Sequence, residues 1–419
     1  MIPKILTTII IALFLFSCSK HDSPPPSNNN PNPQILSISS FSPASAPIDS
    51  VVTISGANFN PDKTEDTVKF NDSVAIVESA TSSQLVVLVP PGATTGKISV
   101  TTGNQTATSA TNFIVGDQWT LLNAYPGSLM ANVVSFQIGT KLYVGLGEGA
   151  GISNLGVWSG EFWQYDAVSG GWSQKANYPG IATGYGVGFS VAGEGYVVMN
   201  PDTNGHNSLW QYDTASNKWS QKADFPGSPE LGIVAFGLNN FGYVGLGVLS
   251  EYGTNAFYQY DPASDTWTQK GNYPGAVTNY AASFVIGNYA YVGTGLTNLN
   301  TSSGSTEFYQ YDPSTDTWTQ KGNFPGGGRN WAAGFSIGGY GYLAGGLNTN
   351  GVEQSDFWQY VAGSDSWTQK KAFGGGTRFE ASAFSGTSQG YLGFGQGAAH
   401  QIEPGNYSGT YVDLWQYQP

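Results

Sequence analysis

One phrase recurs five times in this chain, and its regular return constrains the fold more than any other feature. It reads FWQYDAVSGGWSQKANYPG from residue 162, LWQYDTASNKWSQKADFPG from 209, FYQYDPASDTWTQKGNYPG from 257, FYQYDPSTDTWTQKGNFPG from 308 and FWQYVAGSDSWTQKKAFGG from 357. Each copy is a predicted β-hairpin: aromatic and polar residues alternate with period two, Asp, Pro or Gly supply a turn, and a second strand follows from the Trp. Two further short strands fit between copies, for example AASFVIG from 281 and YAYVGTG from 289, joined at Gly287-Asn288. Each unit therefore holds four strands. The second-strand Trp stands at Trp119, Trp172, Trp219, Trp267, Trp318 and Trp367, with spacings of 53, 47, 48, 51 and 49 residues. The run opens on a lone fourth strand, DQWTLLNAYPG from 117, and ends on a lone third strand, DLWQYQP from 413. Pairing these two completes a sixth unit and closes the ring, which removes the open sheet edges a linear stack would expose.

A four-stranded unit repeating near fifty residues, from about Asp117 to the last residue, resembles the Kelch, or galactose-oxidase-like, β-propeller family. The family's double glycine is literal only at Gly345-Gly346 and is replaced by Met199-Asn200 in the second unit. The resemblance implies a six-bladed propeller over 116–419. It also implies that the connections between second and third strands, and those between blades, share one face. Those connections are long here, and a rigid scaffold commonly carries function on such loops. The recurring Trp and Tyr are expected to pack between blades. Copper oxidases of this family use a Tyr crosslinked to Cys together with His ligands. This propeller has no Cys, and its only His are His206 and His400, so no metal and no cofactor are expected.

Residues 34–115 have another texture. Short β-branched runs (ILSISSF, VVTISGANF, TVKF, VAIVE, QLVVLVP, GKISVTT) alternate with Pro and Gly turns, which predicts a β-sandwich. The wording SPASAPIDSVVTISGANF, then VKFND, then LVVLVPPGATTGKISVTT is similar to the IPT/TIG family of immunoglobulin-like domains. That resemblance implies a spacer or docking module held by apolar packing alone. The whole is thus expected to be all-β: a sandwich followed by a closed propeller.

The N-terminal end carries Lys4, an apolar run from Ile5 to Phe16, then Ser17 and Cys18, the layout of a secretory signal over 1–17. The tetrapeptide Leu15-Phe16-Ser17-Cys18 resembles a bacterial lipobox, which implies cleavage before Cys18 and lipid on its thiol. The Pro, Asn and Ser tract over 18–33 reads as an extended tether. These features give an expectation of a lipid-anchored outer-membrane protein on its periplasmic or outer face. Cys18 is the sole cysteine, so no disulfide forms within the chain. A formal charge of −13 and only two Arg argue against a nucleic-acid partner, because phosphate neutralisation needs clustered basic residues.

Candidate ligand residues follow from aligning the units on the Phe of each first strand: Phe136, Phe189, Phe236, Phe284, Phe335 and Phe384. Six positions earlier stand Met130, Thr183, Glu230, Thr278, Arg329 and Arg378; four positions earlier stand Asn132, Tyr185, Gly232, Tyr280, Trp331 and Glu380. Both sets are expected to ring the channel mouth. Arg329, Arg378, Trp331, Tyr280, Tyr185, Glu380 and Glu230 would combine aromatic faces with guanidinium and carboxylate groups, a set suited to sugars and especially acidic ones. The competing reading is that both Arg satisfy backbone carbonyls at blade junctions. Three functions follow: a non-catalytic surface binder of carbohydrate, a display scaffold for a surface protein partner, and a sugar-active enzyme. The last rests on resemblance, since some periplasmic Kelch proteins are sialic-acid mutarotases working with Arg and Glu in this mouth.

Overall fold

The computed structural model describes residues 34–419 except 129, 150–157, 183–185, 200–206, 228–230, 250–251, 277, 299–302 and 404–405. All of its regular structure is β. The first part is a sandwich of two sheets. One orders its strands Ser37–Ser42, Val51–Ala57, Gln84–Leu88, Ile76–Ala80; the other runs Ser45–Ala46, Gln105–Val115, Gly96–Thr102, Asp66–Phe70, Ser73–Val74. Alternation buries one face of each strand, so that Val52, Ile54, Val68, Leu85, Val87, Ile98 and Val100 are fully enclosed. The strand Gln105–Val115 escaped the sequence reading. Before its final Phe113-Ile114-Val115 it is built from Gln, Thr, Ala, Ser and Asn, and it buries only every second or fourth residue, so most of it lacks an apolar signature.

Six four-stranded sheets follow. The first blade orders Val134–Ile138, Lys141–Gly145, Phe162–Asp166 and Gly171–Gln174 from channel to rim, and blades beginning at Val187, Val234, Ala282 and Ala333 repeat that order. The sixth is composite as expected: Ser382–Phe384, Gly390–Gly393 and the C-terminal Leu414–Gln418 are completed by Gln118–Leu121, with Trp119 opposite Tyr417. Blade closure therefore joins residues almost 300 positions apart.

The recurring phrase is explained at the blade junctions. In the fourth blade the Tyr311 hydroxyl donates to Asp316 Oδ1 (2.7 Å), and the Gly271 N–H of the preceding blade donates to the same oxygen (2.9 Å). The Trp318 indole answers by donating to the Gly271 carbonyl (2.9 Å). The same three-bond latch recurs with Tyr260, Asp265 and Trp267 on Ala223, with Tyr360, Asp365 and Trp367 on Gly322, and with Tyr212, Asn217 and Trp219 on Ala176. The acceptor residue sits in left-handed backbone (φ 53° at Asp265, 54° at Asp316), a conformation Asp and Asn tolerate better than most side chains. At the closing junction Asp117 takes that place. It accepts from the Tyr417 hydroxyl and pairs with Lys370 Nζ (3.0 Å). The later turn aspartates Asp265, Asp316 and Asp365 are thus spent on joining blades, while Asp213, Asp261 and Asp312 cap their own turns.

Candidate functional site

Two cavities occupy the central channel, and both are lined by the same waist of Ser135, Gly188, Ala235, Ser283, Gly334 and Ala383, one small residue from each first strand. The cavity at the mouth measures about 280 Å³. Its rim is made by the residues four positions before each aligned Phe: Asn132, Gly232, Tyr280, Trp331 and Glu380.

These rim residues share an unusual backbone. Asn132, Gly232, Tyr280, Trp331 and Glu380 all have φ between 52° and 70°. For a bulky L-residue such as Tyr or Trp that conformation costs roughly 1–2 kcal/mol. It is held by bonds that run from blade to blade: the Tyr280 N–H donates to the Gly232 carbonyl (2.9 Å), Trp331 N–H to the Tyr280 carbonyl (3.1 Å), and Glu380 N–H to the Trp331 carbonyl (3.2 Å). Close approach from below adds a second restraint. Gly346 and Gly395 lie beneath the rim, and a Cβ on either would stand 2.5 Å from the carbonyl oxygen of Asn330 or Phe379. Gly346 is the second residue of the Gly345-Gly346 pair, and here its lack of a side chain is a packing requirement.

The side chains so held form one continuous wall. Tyr280 and Trp331 lie with ring centroids 4.3 Å apart and 34° between planes. The Trp331 indole N–H is buried and has no acceptor among the described residues. Glu380 closes the wall. Its carboxylate accepts from Gln396 Nε2 (2.8 Å) and, with the Asn132 amide turned so that its nitrogen faces it, from Asn132 at 2.6 and 3.2 Å. Gln396 and Asn132 carried no site assignment from the sequence. Asn132 belonged to the aligned offset, whereas Gln396 reaches the rim through a pairing of its own segment with Phe379.

The two arginines lie elsewhere than expected. Arg329 is 1% exposed and Arg378 0%, and neither lines the cavity. Arg329 forms a bidentate pair with Asp356 (2.6 and 2.9 Å) and donates to the carbonyls of Gly345 and Gly326. Arg378 does the same with Asp413 (2.6 and 2.9 Å), Phe394 and Gly375, its guanidinium lying 4.6 Å from the Phe373 ring and 4.1 Å from that of Tyr411. Thr278, at the same offset, is buried as well and donates to the Thr294 carbonyl. The physical reason is the left-handed residue two positions on. It breaks the period-two alternation that would have put both offsets on one side, and it turns the earlier side chain into its blade. A signal for this existed in the sequence, since Asp precedes the aromatic strand only in the two blades that carry Arg (SDFWQY and VDLWQY).

Tyr185, Glu230 and Cys18 lie outside the described residues. Of the proposed ligand set, the structure brings together Tyr280, Trp331 and Glu380 and keeps Arg329 and Arg378 apart from them.

Comparison with known proteins bears on the fold. Residues 36–115 match the IPT/TIG domain family, so the sandwich is an IPT/TIG domain. No curated protein matches the chain. The solved structure of YjhT aligns with a TM-score of 0.58 at 15% identity, over 70% of this chain and 95% of that one. At that identity the likeness is one of fold: the larger part of the chain is a β-propeller. Since 585 solved chains match, the architecture says little about chemistry, which must be argued from the rim.

Proposed function

We propose that this protein is a non-catalytic carbohydrate binder, anchored to the outer membrane through lipid on Cys18 and carrying its propeller on the IPT/TIG domain as a spacer. The observation that supports this best is the wall of Tyr280, Trp331 and Glu380 on a strained, cross-blade-bonded rim. Sugars are recognised by an aromatic face against their C–H surface together with fixed polar groups for their hydroxyls. Here the aromatic pair, a carboxylate and the Asn132 amide meet at one concave mouth. Strain kept at a rim by its surroundings is a mark of preorganisation. The mutarotase-like reading would need the guanidinium groups in the cavity, and both are engaged with Asp356 and Asp413.

The test is binding of the purified chain to a broad glycan array, repeated with Tyr280→Ala and Trp331→Ala. Each substitution is expected to weaken binding about five- to thirtyfold, since stacking contacts of this kind carry about 1–2 kcal/mol. A silent array, or binding that ignores both substitutions, would transfer the weight to a display role. That second reading has an observation of its own: Val51 (55% exposed), Leu88 and Ile76 (63%) form a paired apolar row on the outer face of the sandwich.

A further inference from the structure

The reading of the mouth as a sugar site leaves open which sugars enter it, and the charge inventory around the rim addresses that question. We infer that the mouth discriminates by charge, admitting neutral and amine-bearing sugars and rejecting carboxylated or sulfated ones, with Glu380 as the residue that sets the discrimination. This inference rests on the carbohydrate reading above and narrows its ligand class, against the expectation that two arginines favour acidic sugars.

Three observations carry it. The first is the fate of the arginines. A cation recruits an anionic ligand only if its donors point at the ligand, and both guanidinium groups spend their Nη donors on Asp356, Asp413 and four backbone carbonyls. Each ion pair is close to neutral as seen from the channel.

The second is the composition of the connections that the described rim segments pair with, and of the cavity lining. Each described rim segment pairs with the connection between second and third strands of its own blade: Met130–Ala131 with Glu148–Gly149, Leu231 with Val248, Asn279 with Leu296, Arg329–Asn330 with Leu347–Asn348, and Phe379 with Gln396. In sequence, the six connections 146–161, 199–206, 246–256, 294–307, 345–356 and 394–413 contain no Lys and no Arg, and every one contains Asp or Glu. The lysines of the repeat serve elsewhere, as Lys370 and Lys270 do in their pairs with Asp117 and Asp316 of the neighbouring blade. Among the described residues that line the cavity, Glu380 is the one carboxylate and there is no Lys or Arg, so the fixed charge that a ligand meets there is negative.

The third is the position of Glu380 itself. It lines the cavity beside the aromatic pair, on backbone fixed by φ 57° and by the bond to Trp331, and its carboxylate is oriented by Gln396 and Asn132. A sugar stacked on Trp331 would bring its ring substituents next to that carboxylate. An ammonium there gains both a charge-assisted hydrogen bond and an aromatic face. A hydroxyl gains an acceptor, whereas a carboxylate or sulfate meets a like charge in a partly desolvated site, which opposes binding strongly.

The test uses the purified full chain and matched triplets of hexose, hexosamine and hexuronate oligomers in the gluco, galacto and manno series. Binding is measured at mildly acidic pH, where amines are protonated and carboxylates ionised. The wild type is expected to bind hexose and hexosamine members at least tenfold more tightly than the hexuronate of the same series, with the gap shrinking as salt is raised. Glu380→Gln keeps the shape and the contacts with both amides and should narrow the gap severalfold, its thermal unfolding serving as the control for fold. Hexuronates bound as well as their neutral counterparts in low salt would overturn the charge inference while leaving the sugar reading intact. So would a gap that neither salt nor Glu380→Gln changes. Binding of no triplet at all would bring down both.

Discussion

The sandwich and the propeller bury the faces of equally short strands with different chemistry. Residues 34–116 contain no Tyr and no Trp. Their core is Val, Ile and Leu with Phe59, Phe70 and Phe113, and packing there is non-directional. Propeller junctions are built from Tyr, Trp and Phe and are crossed by directional bonds, as where Gly271 N–H meets the Tyr311-bonded Asp316 and the Trp318 indole meets the Gly271 carbonyl. The difference teaches why one region repeats its wording and the other does not. Aliphatic burial tolerates any similar volume, whereas a ring must reproduce one angle and one register at every junction, and directional bonds enforce that at the cost of sequence freedom.

The largest separation between the two regions is expected at alkaline pH. Burial pushes the phenols of Tyr143, Tyr178, Tyr196 and Tyr342 up to about 12 from an ordinary value near 10. A raised folded value means that the native state keeps protons the unfolded chain has lost. This stabilisation is complete below about pH 10 and is lost as pH rises through the folded values. Propeller unfolding, followed by the fluorescence of tryptophans that all lie in that region, should move sharply to lower temperature between about pH 10 and 12. The sandwich has no tyrosine to titrate, and its calorimetric transition should move less. A common shift of both transitions would erase the contrast.

Next in size is a pair of core substitutions. Arg378→Ala leaves the Asp413 carboxylate on the closing strand without its cation and should destabilise the propeller by about 3–5 kcal/mol. Leu85→Ala opens a cavity in the sandwich and should cost about 2–5 kcal/mol. Only the first should displace the fluorescence transition, so calorimetry and fluorescence together sort the two. Smallest is Tyr260→Phe, which removes the hydroxyl bond to Asp265 while leaving that carboxylate its bond from Ala223. A loss of about 1 kcal/mol in unfolding free energy, read from the denaturant midpoint and slope, is expected; no loss would mean that the latch contributes geometry without stability.

The rim shows how far sequence reasoning reaches into the site. Aligning the units on their Phe placed Asn132, Gly232, Tyr280, Trp331 and Glu380 in one ring, because the strands are equivalent and equal offsets from an equivalent residue meet at equal heights. The same alignment failed two residues earlier, at Arg329 and Arg378. Left-handed backbone at Trp331 and Glu380 is not signalled by those residue types, which avoid it, and alternation cannot be carried through it.

By itself the sequence determined the architecture. Its period near fifty residues set the blade count, its split first and last strands set the closure, and its apolar alternation set which faces are buried, all of them local or periodic properties that a linear string can carry. The tertiary structure decided the chemistry of the mouth. Arg329 meets Asp356 across 27 residues, Arg378 meets Asp413 across 35, and Glu380 faces Asn132 across the junction of the last blade with the first. Which charges are spent inside the protein and which face a ligand depends on those distant encounters.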